Sequence, residues 1–427
     1  MNQRTTASQD TPGSFQDFRA LRRLFPALQQ QRDGQEAVYF DGPGGTQVPR
    51  QVIDAMVHYL ETCNANHGGL FATSRESDGI LAEAHQAVAD LLNAPAPAEI
   101  VFGPNMTTLT LHFTRAISRT LRPGDEVLVT RLDHDANVTP WLLAARDAGA
   151  TARFVDIHPE DCTLDMDDYQ RKLSARTRWV AVCCASNAVG TVNDVRALAQ
   201  SAHAAGSRIF LDAVHYAPHG SIDVQHWDCD ALACSAYKFF GPHVGILWAR
   251  RALLEELPAY KLRPVPESLP DRWMTGTQNH EGLAGVVAAV NYLAGLPQSS
   301  AAKAGDRLHV LRAAMSSVRQ YESRLARHVL AALGERSRIK VWGITGMDRL
   351  DWRVPTVSIT IGGIGAGAIA EHLGQRQIYV WNGNMYAIGL SERLGLENAG
   401  GFLRIGLVHY NTVEEIDRLL AALDELG

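Results

Sequence analysis

Residues Ser207–Arg250 read SRIFLDAVHYAPHGSIDVQHWDCDALACSAYKFFGPHVGILWAR, a pattern of strand, loop, strand, lysine, glycine turn and strand. Ile209–Leu211 is a short apolar run that stops at Asp212, and Ala231–Ala236 is a second that stops just before Lys238. A carboxylate and an ammonium at the ends of buried strands are costly unless something uses them. In open α/β sheets ligands sit beyond the carboxyl ends of the strands, where both residues fall. Either alone is commonplace, as a loop-capping acid or a surface lysine on a turn.

One group that uses both is pyridoxal phosphate (PLP). Its aldehyde needs a lysine amine to hold it as a Schiff base, and its ring nitrogen needs an anionic partner to stay protonated. Lys238 and Asp212 fit those roles. Outward from this stretch, strand and helix patterns alternate, which predicts a parallel sheet with helical crossovers. Glu99–Phe102, Glu126–Thr130 and Trp179–Ala185 read as strands. Gly103–Thr108 is a turn feeding the helix Leu109–Thr120, and free N–H groups with hydroxyls at a helix start make a phosphate cup. Phe18–Leu28, Val52–Cys63, Asp78–Leu92, Leu283–Leu293 and Arg307–Leu333 carry helical spacing. Between two of these, NANHGGLFATSRES is polar and aperiodic, a long loop of the kind that is often functional.

The segments DAVHYAPH and DCDALACSAYKFFGP resemble the Schiff-base region of the class V aminotransferases, and of cysteine desulfurases in particular. The likeness runs from about Tyr39 to the C-terminus. It implies a PLP-dependent transferase fold of type I: a large domain with a mostly parallel seven-stranded sheet and a smaller α+β C-terminal domain. The division it implies is an N-terminal segment 1–37 on the small domain, a PLP-binding domain 38–295 and a small domain 296–427.

The same resemblance assigns roles. Met106 and Thr107 hold the phosphate with Ser235. His134, in the Asp133-His134-x-Ala136-Asn137 motif, stacks on the pyridine ring and serves as general acid or base, and Asn187 bonds the phenolic oxygen. His215 stands where desulfurases carry glutamine and Tyr237 where they carry histidine, and both keep hydrogen-bonding ability. Thr277 resembles the residue by which one subunit reaches its neighbour's phosphate, which implies a homodimer with shared active sites. Gly44, in the turn DGPGGTQVP, lines the substrate pocket, and Arg404 clamps an α-carboxylate through its planar fork.

The chain departs from desulfurases at the late loop Ile378–Ala387. Tyr386 aligns with the cysteine that accepts sulfur in those enzymes, and no cysteine follows Cys234. A phenol forms no persulfide. Trp381 and Tyr386 offer an aromatic wall and Asn384 a polar contact for substrate. The expected substrate is a small-molecule amino acid. The leading expectation is a lyase of the C–S type, with aminotransferase or epimerase as alternatives and a non-catalytic binding protein as the other class.

Composition narrows the rest. Of 427 residues, 46% are hydrophobic, enough for a sizeable core. A net charge of −6 without a basic cluster argues against nucleic acid. The polar start and the lack of a ~20-residue apolar run argue for a cytoplasmic protein with no membrane partner. Six cysteines without paired spacing read as buried thiols, and no metal site is expected. GGIGAGAIAEHL misses the last glycine of the dinucleotide fingerprint and reads as a strand-to-helix turn.

Overall fold

The computed structural model describes residues 15–32, 34–297 and 305–426; the expectation for residues 1–14 lies outside them. Seven strands make the larger sheet: β1 (Ile100–Gly103), β2 (Glu126–Thr130), β3 (Thr151–Val155), β4 (Thr177–Cys183), β5 (Arg208–Asp212), β6 (Ala231–Ser235) and β7 (Gly245–Ala249). Their order is β1-β7-β6-β5-β4-β2-β3. β5 pairs in parallel with β4 and β6, and β2 in parallel with β3 and β4. β7 alone runs against its neighbours β6 and β1. The central strands β4, β5 and β6 are buried along nearly their whole length, as expected of parallel strands covered on both faces.

This order creates a switch point. From β2 the chain steps outward to β3, then returns to the other side of β2 as β4 and moves away through β5 and β6. Loops at the ends of β2 and β4 therefore diverge and leave a crevice. His134 follows β2 and Asn187 follows β4. Register sets Asp212 level with Cys183 on one side and Ala233 on the other.

A second, antiparallel sheet comprises β8 (Ile339–Trp342), β9 (Thr356–Ile361), β10 (Trp381–Gly383) and β11 (Phe402–Gly406), ordered β8-β9-β11-β10. The helices Arg307–Gly334 and Val413–Asp424 pack together beside it. Chain ends meet here: Val38–Tyr39 pairs in parallel with Ile378–Tyr379, and Asp41 bridges Gly406. The N-terminal segment lies against the same helices, with Phe18 stacked on Tyr321 at 4.4 Å and Arg22 paired with Glu415 at 2.8 Å.

Two expectations need correction. The long loop after Cys63 is shorter, because the helix Ala72–Leu92 takes in Ala72–Ser77. Ser74 and Ser77 face inward on that helix and bond the carbonyls of Asn66 (2.6 Å) and Ala65 (2.8 Å), so its buried face is polar and shows no apolar period. The single helix expected over Phe18–Leu28 is instead Phe15–Leu21 followed by two short 3-10 turns, Arg22–Leu24 and Pro26–Gln29. Pro26 forces Phe25 out of the helical region. No helix among the described residues is long and apolar enough to cross a membrane.

Candidate active site

A cavity of about 680 Å³ opens at the crevice. Gly44, Met106, Thr107, His134, Asn187, Asp212, His215, Ser235, Tyr237, Lys238, Trp381, Tyr386 and Arg404 all line it. Two predicted residues do not. Thr277 lies in a neighbouring chamber that shares Thr108 and His243 with the cavity. Asn384 turns its side chain to Glu397 (2.9 Å) and to the backbone N–H of Tyr386 (3.0 Å).

The floor is buried and rich in ionisable groups. Asp212 Oδ1 accepts from the Val214 N–H at 2.8 Å. Burial raises its carboxyl to about 6, against the pull of that N–H and of Lys238. Lys238 sits on the 3-10 turn after β6 and donates to the carbonyls of Pro43 and, at 2.9 Å, Gly44. Burial and the Arg404 cation lower its amine to about 7, while Asp41 and Asp212 hold it up. A lysine with that value is substantially neutral, and so nucleophilic, at ordinary pH.

Asp133 is fully enclosed, accepting from the Thr130 hydroxyl and, at 2.7 Å, from Asn137 Nδ2. Burial pushes its carboxyl up to about 8 against those bonds. It serves to fix the loop that carries His134. His134 Nδ1 accepts from the Ala136 N–H at 3.0 Å, which assigns the ring proton to Nε2. Burial, Lys238 and Arg404 together depress this imidazole to about 4, so it is neutral at pH 7. His215 Nε2 meets the Thr356 hydroxyl at 2.9 Å.

The phosphate cup is the start of the helix Met106–Ser118, earlier by three residues than expected. Asn105 caps it by accepting from the Thr108 N–H at 2.9 Å, and the Met106 N–H donates to Ser235 Oγ at 2.9 Å. β7 begins so close that a Cβ on Gly245 would lie 2.4 Å from the Asn105 backbone. Only glycine lets the strand and the cup share this space.

On the substrate side, Arg404 projects from β11 with Nη1 on the Asn187 carbonyl (3.1 Å) and Nη2 on Asp41 Oδ1 (3.3 Å). Its Nε is buried without a partner. The late loop is strapped to the floor by its backbone. The carbonyl of Met385 accepts from Asn187 Nδ2 (2.8 Å) and that of Tyr386 from the Asp135 N–H (2.7 Å). Met385 and Tyr386 hold φ of 58° and 56°, a left-handed conformation that side chains resist unless neighbours enforce it. The Tyr386 ring then lies stacked against His134, centroids 5.4 Å apart.

Sequence reasoning passed over Asp41 and Cys183, which also line the cavity. Each ends a short apolar strand as Asp212 does, but the role of Asp41 shows only beside Arg404.

These residues fit PLP. A helix start with hydroxyls and spare N–H groups suits a phosphate. Asp212, raised by burial, gains from a cationic ring nitrogen. Asn187 Oδ1 is buried with no partner, capacity left for a ligand. The amine of Lys238 completes the set, and fold and site together define a PLP-dependent enzyme of fold type I.

Comparison with known proteins narrows the class. The family model described as "Aminotransferase class-V" matches residues 38–419. A probable cysteine desulfurase of Synechocystis is 31% identical, covering 94% of each chain. The aminotransferase-like protein FGM3 of Gibberella zeae is 30% identical over 95% of this chain and 97% of its own. The solved cysteine desulfurase CsdA of Escherichia coli, in its S-sulfonic acid form, superposes with a TM-score of 0.81 at 26% identity over 96% of this chain and 98% of that one. The chain belongs to the class V aminotransferase family and is of the cysteine desulfurase-like kind.

Proposed function

We propose that the chain is a lyase acting on an α-amino acid, breaking the bond between the β-carbon and a sulfur leaving group without forming a protein persulfide. The observation that carries this reading is the want of a thiol at the mouth. Tyr386 stands there, and the six cysteines are all free and buried. Cys183 reaches the cavity, yet burial and the carboxyls of Asp133 and Asp212 push its thiol well up. Protonated, it is no acceptor of sulfur.

When bound, PLP supplies the aldehyde that holds the substrate nitrogen and a ring that takes up the electron pair of the α-C–H bond. Arg404 grips the α-carboxylate and so orients the α-carbon. Lys238 Nζ, neutral near pH 7, takes the α-proton. The sulfur departs as thiolate with the C–S electron pair, and one water converts the remaining enamine to keto acid and ammonia. His134 and Tyr386, stacked together, wall off this space from solvent.

The same reading makes the enzyme a homodimer in which Thr277 serves the partner's phosphate site. Its place off its own cavity supports this.

Loaded with PLP and given L-cysteine, the protein is expected to release keto acid, ammonia and sulfide in equal amounts with no sulfur left on the chain. Tyr386→Cys, which places a thiol at the mouth, is expected to retain persulfide. A D-amino acid product, or keto acid without ammonia, overturns the lyase in favour of an epimerase or an aminotransferase. Turnover equal in Lys238→Ala and the parent refutes the lysine mechanism altogether.

A further inference from the structure

One turn, Asp41–Gly44, engages both cations of the site. Its carbonyls at Pro43 and Gly44 take Lys238, and its carboxylate takes Arg404. The grip on Arg404 is placed at Nη2. A guanidinium offers a carboxylate two bidentate edges, Nη1 with Nη2 or Nε with Nη2, since Cδ blocks the third. Nη1 already serves the Asn187 carbonyl and Nε is the unused donor. Every two-pronged grip on Arg404 therefore uses the nitrogen that Asp41 holds. An incoming carboxylate either displaces Asp41 or settles beside it on that nitrogen, like charge against like charge at a buried guanidinium.

Position 44 keeps Asp41 in place. A Cβ on Gly44 would lie 2.4 and 2.5 Å from the two Asp41 carboxylate oxygens, so the carboxylate packs directly on the bare Cα.

We propose that Asp41 is a specificity-determining residue whose carboxylate competes with the substrate's α-carboxylate for Arg404, holding affinity for neutral amino acids low and rejecting those with a second negative charge. The proposal rests on the reading of Arg404 as the carboxylate clamp. Binding in this site is thus an exchange of one anion for another, and selectivity comes from the anion already present.

The test uses the PLP-loaded full chain and reads dissociation constants for L-alanine, L-cysteine and L-aspartate from the shift of the cofactor absorption band. Asp41→Asn is expected to tighten the two neutral amino acids about tenfold and to tighten L-aspartate by more, narrowing the gap between them. Gly44→Ala retains the charge but takes its space, and is expected to move all three in the same direction by less. If Asp41→Asn leaves binding unchanged or weaker while Arg404→Ala abolishes it, Asp41 merely aligns the guanidinium and the proposal is overturned. Should Asp41→Asn fail to fold or load, Gly44→Ala decides by the same criterion. If amino acids bind Arg404→Ala as they bind the parent, the clamp reading itself falls and this proposal with it.

Discussion

On the floor of the cavity, Asp212, Cys183 and Ser235 end adjacent strands and are 5%, 3% and 2% exposed; at the mouth, Trp381 and Tyr386 are 55% and 68% exposed. The floor is held by seven paired strands and a capped helix. The mouth is held at Trp381 by the edge strand β10, and at Tyr386 by two carbonyl bonds, the Asn384 side chain and a ring stack on a left-handed backbone. A rigid, buried floor suits a cofactor common to many reactions. An exposed mouth is where one reaction is distinguished from the next, because a substitution there leaves the sheet undisturbed. Tyr386 is such a position: it lines the cavity, is largely exposed and lies outside the apolar core.

The contrast can be broken at several depths. Lys238→Ala removes the one amine of the floor, and activity is expected to fall by about three orders of magnitude or more, with loss of the lysine-dependent absorption band. Retained activity would mean the floor is not the chemical centre. Arg404→Ala joins floor to mouth. KM for the amino acid is expected to rise about a hundredfold, with kcat less affected, since a buried carboxylate contact is lost.

The acidity of Lys238 gives a sharper probe of the floor alone. Its value is lowered to about 7, and the neutral amine is the form that attacks the aldehyde. The rate of PLP attachment to the apo-protein is expected to rise about tenfold between pH 6 and 8 and then level off, where an ordinary lysine near 10.4 would still be climbing. Stopped-flow absorbance across that range checks it. Smallest is the effect of Trp381→Ala. On so exposed a position, the melting temperature is expected to stay within about 2 °C, while KM shifts a few-fold for bulky substrates and not for L-alanine.

Floor residues were legible in the sequence because their signals are local. Asp212 and Lys238 each close an apolar run, and the register of neighbouring strands brings them together without further information. The phosphate cup was likewise visible as a turn before a helix. Asp41 was not singled out, since its meaning depends on Arg404, 363 positions away. The start of the helix at Ala72 was hidden because Ser74 and Ser77 fill its inner face with hydroxyls that serve the preceding loop. Thr277 was readable only by resemblance, and the structure places it in the neighbouring chamber.

The pairing of Val38–Tyr39 with Ile378–Tyr379 bears on how the protein is made. Domains fold largely as they leave the ribosome, N-terminal parts first. Every strand of the larger sheet has been synthesised by Ala249, yet the partner strand for Val38–Tyr39 and the guanidinium of Arg404 come only later. A nascent chain thus carries Asp212 and Lys238 well before it carries Arg404. The turn that carries Asp41 can close onto its partners only once Ile378–Gly406 have been made.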